Sequence, residues 1–284
     1  PVWIPGSYLV REFSQHLQHL QAIQAGEPVA VRQLDKHRWE TGSASGQPLE
    51  LHYEVYAFDA SVRTACLDAQ RGFFNGTSLC LQVAGQEDQP HALTVESGPY
   101  TQGWQVATGL TAQEVDAAGF GLYHAEHYDE LADCPFEMGA FWSGEFTARG
   151  VSHRFVVSGA GAWVDFDRLL ADTKRICETQ IDFWHGPEAP PFQRYVFMLY
   201  ASADGYGGLE HRNSTALICQ RADLPRLRPS TSDKPAALKA TDGYTTLLGL
   251  ISHEYFHTWN VKRLRPAEFA RYDYTRENHT ELLW

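Results

Sequence analysis

Five consecutive residues, His253-Glu254-Tyr255-Phe256-His257, carry the chemistry most readily read from this chain. They form the H-E-x-x-H pattern, and on a helix residues i and i+4 share one face, so both imidazoles can bind one metal ion. Glu254 sits beside that face and can take a proton from the attacking water. Zinc suits the set: it accepts imidazole nitrogens and a carboxylate and keeps a position open for water. The reaction class implied is hydrolysis of an amide by a metal-activated water. Two His are short of the three protein ligands usual for catalytic zinc. A third His six residues after His257 is excluded, because position 263 is Arg, and Glu268, Glu277 and Glu281 are the downstream carboxylates.

A helix has to present these groups. Leu247-Leu248-Gly249-Leu250-Ile251 is an apolar run that would bury it, and Thr241-Asp242 can cap its start. The spacing predicts a helix from about Asp242 to Lys262, with Pro266 marking its end. Lys262-Arg263-Leu264-Arg265 would then place positive charge at the helix C-terminus, where it complements the dipole. Asn260 is a candidate for orienting a ligating His, or for a capping role.

Before this helix the chain reads as strand, glycine loop, strand. Tyr195-Val196-Phe197-Met198-Leu199-Tyr200 is strongly apolar, Asp204 to Gly208 is a glycine-rich loop holding Tyr206, and Ser214 to Cys219 is a second strand and a possible sheet edge. Such an edge can hold an extended peptide by main-chain hydrogen bonds. Gly207-Gly208-Leu209-Glu210-His211 precedes it. Glycines allow close approach of a ligand, and Glu210 can grip a substrate's charged amine; a glycine turn with a solvated Glu-His pair is the alternative. Further upstream, Asp167 to about Trp184 has helical spacing with Asp167 as cap, followed by the Pro-rich link 186–191.

Residues 1 to about 163 alternate with period two in several stretches: 49–56, 78–83, 91–95, 144–148 and 153–158. We expect an α+β fold, in which an antiparallel β-sandwich-like domain (1–163) precedes the sheet-plus-helix half of a thermolysin-like catalytic domain (164–284). His124, His127 and Asp129 have some ligand character, with ordinary hydrogen bonding as the simpler reading.

Composition narrows the partners. With 35 acidic against 23 basic residues the net charge is -12, which argues against nucleic acid and anionic membrane surfaces. Cys66, Cys80, Cys134, Cys177 and Cys219 are odd in number, scattered and without C-x-x-C, so neither a disulfide framework nor a cysteine zinc site is expected. No apolar run approaches the roughly 20 residues of a membrane span, and no signal peptide is present. The chain begins at Pro1 without Met, which leaves cytoplasm and periplasm both open.

Together these segments resemble the glycyl aminopeptidase family of gluzincin metallopeptidases, distant relatives of aminopeptidase N. The matching stretches are Trp3 to Phe13, Glu126 to Pro135, Gly207 to Ser214, His253 to Pro266 and Tyr272 to Asn278. The resemblance implies His253 and His257 as zinc ligands, Glu254 as general base, and Gly207, Gly208 and Glu210 as the substrate-amine motif, with Glu210 the anchor. It implies a peptide substrate with a free N-terminus and a small first residue such as Gly or Ala. In such proteins the third ligand is a Glu in a helix shortly after an L-L-W sequence. This chain ends at Leu282-Leu283-Trp284, so that ligand and the oxyanion donor are expected beyond it, and residues 1–284 alone are expected to be inactive or nearly so. The rival readings are a non-catalytic peptide-binding or scaffolding protein with this fold, and an endopeptidase with the same chemistry.

Overall fold

The computed structural model describes residues 1–227 and 239–282. Most of the expected surface loop Arg221–Lys239 falls on 228–238 and so lies outside the described residues, as do Leu283 and Trp284. Among the described residues no helix is long and apolar enough to cross a membrane.

The fold is α+β. The first part of the chain forms antiparallel sheets, the largest of four strands in the order Ala65–Leu67, Arg71–Phe74, Phe136–Gly139, Gln105–Thr108. A five-stranded sheet follows, in the order Trp142–Ala148, Val151–Ser158, Arg194–Ser202, Ser214–Gln220, Gly207–Glu210. Its three middle strands run parallel and its two outer strands antiparallel. Strands 142–148 and 151–158, assigned by sequence to the first part, are therefore hydrogen-bonded into the sheet of the second. Sheet membership changes near residue 140, not 163.

The middle strands are apolar on both faces because both are covered. Tyr195, Phe197 and Leu199 face the long helix Phe166–His185 and the motif helix Asp242–Phe256, packing with Leu169, Ile181 and Ile251. Val196 and Met198 point the other way and pack with Ala107 and Phe141. Leu209 and Ala216 likewise meet Ile4, Phe13, Val62 and Phe73. The first part of the chain thus lies against one face of the sheet and the helices against the other. Arg71 and Glu137 form a buried two-pronged ion pair at 2.7 and 2.8 Å, and Ser158 Oγ donates to the same carboxylate.

Three sequence expectations change. Residues 78–83 are not a strand: Gly76–Leu79 is a short helix, and the carbonyls of Leu79 and Cys80 accept from the hydroxyls of Tyr53 and Tyr128 at 2.7 and 2.8 Å. Those carbonyls are satisfied by side chains, so no partner strand is needed. The long helix is capped by Asp165, whose carboxylate accepts from Arg168 N at 3.0 Å, and not by Asp167. The motif helix stops at Phe256, with His257 as its C-cap, about six residues early. Trp259 is the cause: its ring turns into the core against Trp184, Phe192 and Tyr255, and its indole N–H donates to His185 at 2.7 Å. Val261 then reverses the chain at φ 122°, a strained value for a buried β-branched residue. All five cysteines are free, and all but Cys80 are buried.

Beneath the motif helix, Tyr255 is fixed by a buried histidine. His153 Nδ1 donates to Val151 O at 3.0 Å, which leaves Nε2 to accept the Tyr255 hydroxyl at 2.9 Å. Burial pushes the His153 imidazole down from 6.5 to about 4. As pH falls through 6.5 the unfolded chain takes up this proton and the folded one does not. The contribution is therefore complete above about pH 6.5 and lost on acidification toward pH 4. Urea midpoints measured from pH 8 to 4.5 should fall over this window, and less steeply in His153→Gln, which keeps an acceptor for Tyr255 without titrating.

Candidate active site

The motif helix begins at Thr241, whose hydroxyl accepts from Tyr244 N at 3.1 Å, as the sequence led us to expect. Its two imidazoles converge. His253 Nε2 and His257 Nε2 lie 3.1 Å apart with their rings nearly perpendicular. His257 Nδ1 donates to the carbonyl of Asn260 at 2.7 Å, which fixes its tautomer and leaves Nε2 with a free lone pair. The Asn260 backbone, brought round by the turn before Val261, thus fills the orienting role considered for that residue. Partial burial, then the neighbouring His257, pull the His253 imidazole below its ordinary pKa.

This pair fits a tetrahedral cation. Two bonds of about 2.0–2.1 Å meeting near the tetrahedral angle put their nitrogens roughly 3.3 Å apart. Among the described residues no third His, Cys, Asp or Glu completes a metal-holding group. Glu268, Glu277 and Glu281 are exposed and do not join the pair.

Two acids face the same cleft. Glu254 is 5% exposed, and its Oε2 has no hydrogen-bond partner. Glu210 is equally buried, with Oε1 unpartnered. Burial, followed by the repulsion of Glu210, pushes the Glu254 carboxyl up to about 8. Unpartnered buried carboxylates are costly unless something cationic meets them. The cleft they line has a volume of about 490 Å³, with Gly208, His253, His257 and Asn260 among its walls.

Gly207, Gly208 and Glu210 do not sit on a loop before the sheet edge: Gly207–Glu210 is itself the edge strand, paired to the inner strand Ser214–Gln220. The first glycine pairs with Ile218 and the second with Leu217. A Cβ on Gly208 would stand 2.1 Å from Glu254 Oε1, so the strand can approach the motif helix only without a side chain there. Tyr206 is 60% exposed beside the strand.

Several functional neighbours escaped sequence reasoning. Gly6, Tyr8 and Arg63, from the first part of the chain, line the cleft, as does Gln180 of the long helix. Gln180 Nε2 donates to the carbonyl and hydroxyl of Ser252 at 2.8 and 2.9 Å, tying that helix to the residue before His253. Gly6, at φ +87°, packs so closely on Glu210 that a Cβ would lie 2.7 Å from both carboxylate oxygens. Asp133 was within a matching stretch, but no role was read for it. It accepts from Lys262 Nζ at 2.9 Å, His211 Nδ1 at 3.2 Å and Arg212 N and Nε at 3.0 and 3.1 Å. Burial would raise its pKa, yet Lys262, then His211 and Arg212, hold it well below the carboxylate range. Lys262 is therefore a buried ion-pair partner and not a helix-dipole charge. His127 caps a short helix by accepting from Glu130 N, and Asp129 binds Arg212 and the Tyr274 hydroxyl, so neither is a metal ligand here.

Comparison with known proteins identifies relatives of this chain. Residues 1–140 match the Peptidase M61 N-terminal domain, and residues 246–284 match the M61 glycyl aminopeptidase. A crystal structure of an aminopeptidase N family protein from Idiomarina loihiensis superposes with a TM-score of 0.92 at 44% sequence identity, over 100% of this chain and 46% of that one. No curated protein matches. The chain belongs to the M61 glycyl aminopeptidase family, and it spans about half the length of the solved relative.

Two substitutions test the geometry. Gly208→Ala should displace Glu254 and cost about 1–3 kcal/mol of stability, as overpacking does. Asp133→Ala should cost about 3–5 kcal/mol in urea denaturation, because Lys262 and Arg212 lose a buried partner.

Proposed function

We propose that these residues belong to a zinc-dependent aminopeptidase that removes a small first residue, Gly or Ala, from peptides. The observation that carries this reading is the convergence of two imidazole nitrogens at 3.1 Å beside two buried, unpartnered carboxylates, one on the motif helix and one on the sheet edge. Zinc, when bound, polarises the scissile carbonyl and makes water more acidic. His253 and His257 would hold it, with a further protein ligand still required.

Glu254 accepts the proton of the attacking water and passes it to the departing amine. Glu210 fixes the substrate's ammonium group by a charge-assisted hydrogen bond. The edge strand Gly207–Glu210 offers its free main-chain groups to the extended peptide, and Gly208 keeps that strand close to Glu254. With the amine held on Glu210, cleavage falls after the first residue.

In a protein of the family's full length carrying these residues, Glu254→Gln should keep its zinc by metal analysis and lose turnover of alanyl-p-nitroanilide by at least about a hundredfold. Retained turnover would remove Glu254 from the role of base. Acetylating the substrate amine should abolish cleavage; continued cleavage would make the enzyme an endopeptidase. Zinc bound without cleavage of either substrate would favour the scaffolding role.

A further inference from the structure

Three arginines from separate stretches of chain meet at a second hollow, which shares no lining residue with the cleft of the two imidazoles. It has a volume of about 350 Å³, and Arg194, Arg212 and Arg263 stand in its wall. Arg194 opens the inner strand Arg194–Ser202, and its Nη2 donates to the carbonyl of Gly109 at 3.1 Å. Asn213 donates from Nδ2 to the same carbonyl at 2.9 Å, so Arg194 is brought beside the turn that carries Arg212. Arg263 comes from the chain reversal at Val261. Its Nη1 donates to the carbonyls of Arg212 and Thr258 at 2.9 and 2.7 Å, and its guanidinium lies 5.2 Å from the centre of the Phe192 ring.

The charges in this wall do not balance. Arg212 is paired with Asp129 and Asp133, and the charge of Asp133 is shared further with Lys262. Arg194 and Arg263 meet only carbonyls, a threonine hydroxyl and a ring, and among the described residues neither forms an ion pair. The other acid in the wall, Glu130, turns its Oε2 back to accept from Glu126 N at 2.7 Å. Burial, then the neighbouring Arg212, lower the pKa of the Arg263 guanidinium, the cost of placing it beside a second cation out of water. A net charge of -12 gives the chain no general surplus of positive charge, so this surplus is local.

We propose that the hollow between Arg194, Arg212 and Arg263 is a binding site for a phosphate group, free or esterified. Two guanidinium groups without carboxylate partners match an anion of charge near minus two. Forks arriving from three stretches of chain suit a tetrahedral group with several acceptor oxygens better than a planar carboxylate with two. The site stands apart from the aminopeptidase reading and does not depend on it.

Calorimetric titration of the zinc-stripped protein with inorganic phosphate, at constant ionic strength, tests this. Binding should appear at about 1 mM or tighter, and acetate should bind at least about tenfold more weakly. Arg194→Met should weaken phosphate binding by about tenfold or more. Arg194 is exposed, so this variant should keep its fold. Arg63→Met, which alters only the other cleft, should leave the affinity unchanged. No binding of phosphate below about 10 mM, equal affinity for acetate, or full affinity in Arg194→Met would overturn the proposal. A loss confined to Arg63→Met would overturn it too, by placing the anion beside the imidazoles. A parallel titration with glycerol phosphate separates the sources: tighter binding than inorganic phosphate marks an ester as the ligand, and weaker binding marks the free ion.

Discussion

A single buried carboxylate, that of Asp133, ties the arrangement together. It belongs to the first part of the chain, and it is met by three cationic or ring groups from the second. His211 and Arg212 form the turn after the edge strand, so their bonds to Asp133 fix where Glu210 lies. Lys262 follows the strained turn at Val261, and its own N–H donates to the His257 carbonyl at 3.2 Å. One anion therefore holds both Glu210 and the second imidazole. A buried ion pair is a poor source of net stability, but it is an effective source of register, because breaking it leaves a bare charge. The desolvation cost is met here by four hydrogen bonds to two oxygens.

The cleft is built on the opposite electrostatic principle. Burial, then the nearby Glu210, raises the proton affinity of Glu254, and each acid keeps a buried oxygen without a hydrogen-bond partner. The protein keeps two acids where their charges are worth least to the fold. Such a site is short of positive charge, and both a divalent cation and a substrate ammonium would supply it. Structural economy alone would have paired Glu254 with a base from a neighbouring element, as it pairs Glu137 with Arg71.

Much of the reactive centre was legible in the sequence because its spacing is local. His253, Glu254 and His257 need only one helical turn to meet, and Thr241 and the apolar run before them mark the helix plainly. Glu210 was legible as a candidate, although its strand was taken for a loop: two successive glycines look like a turn until a neighbouring helix is known to press on them. The end of the motif helix was misjudged because propensity continues through Trp259 while packing of that ring does not allow it. Gly6 and Asp133 lay in stretches that match the family but gave no local sign of their contacts, and Arg63 gave no signal at all. They reach the site from far along the chain, and nothing in the pattern of an isolated Gly, Arg or Asp tells where a sheet will carry it. The division of the sheets was misplaced for a related reason. The hairpin 142–158 alternates like the strands before it, and only its parallel pairing with Arg194–Ser202 assigns it to the second sheet.

The contact of Gly6 on Glu210 makes the cleft a product of long-range folding. One wall comes from Gly6 and another from residues 252–260, so the cavity exists only once both stretches have folded against the sheet edge.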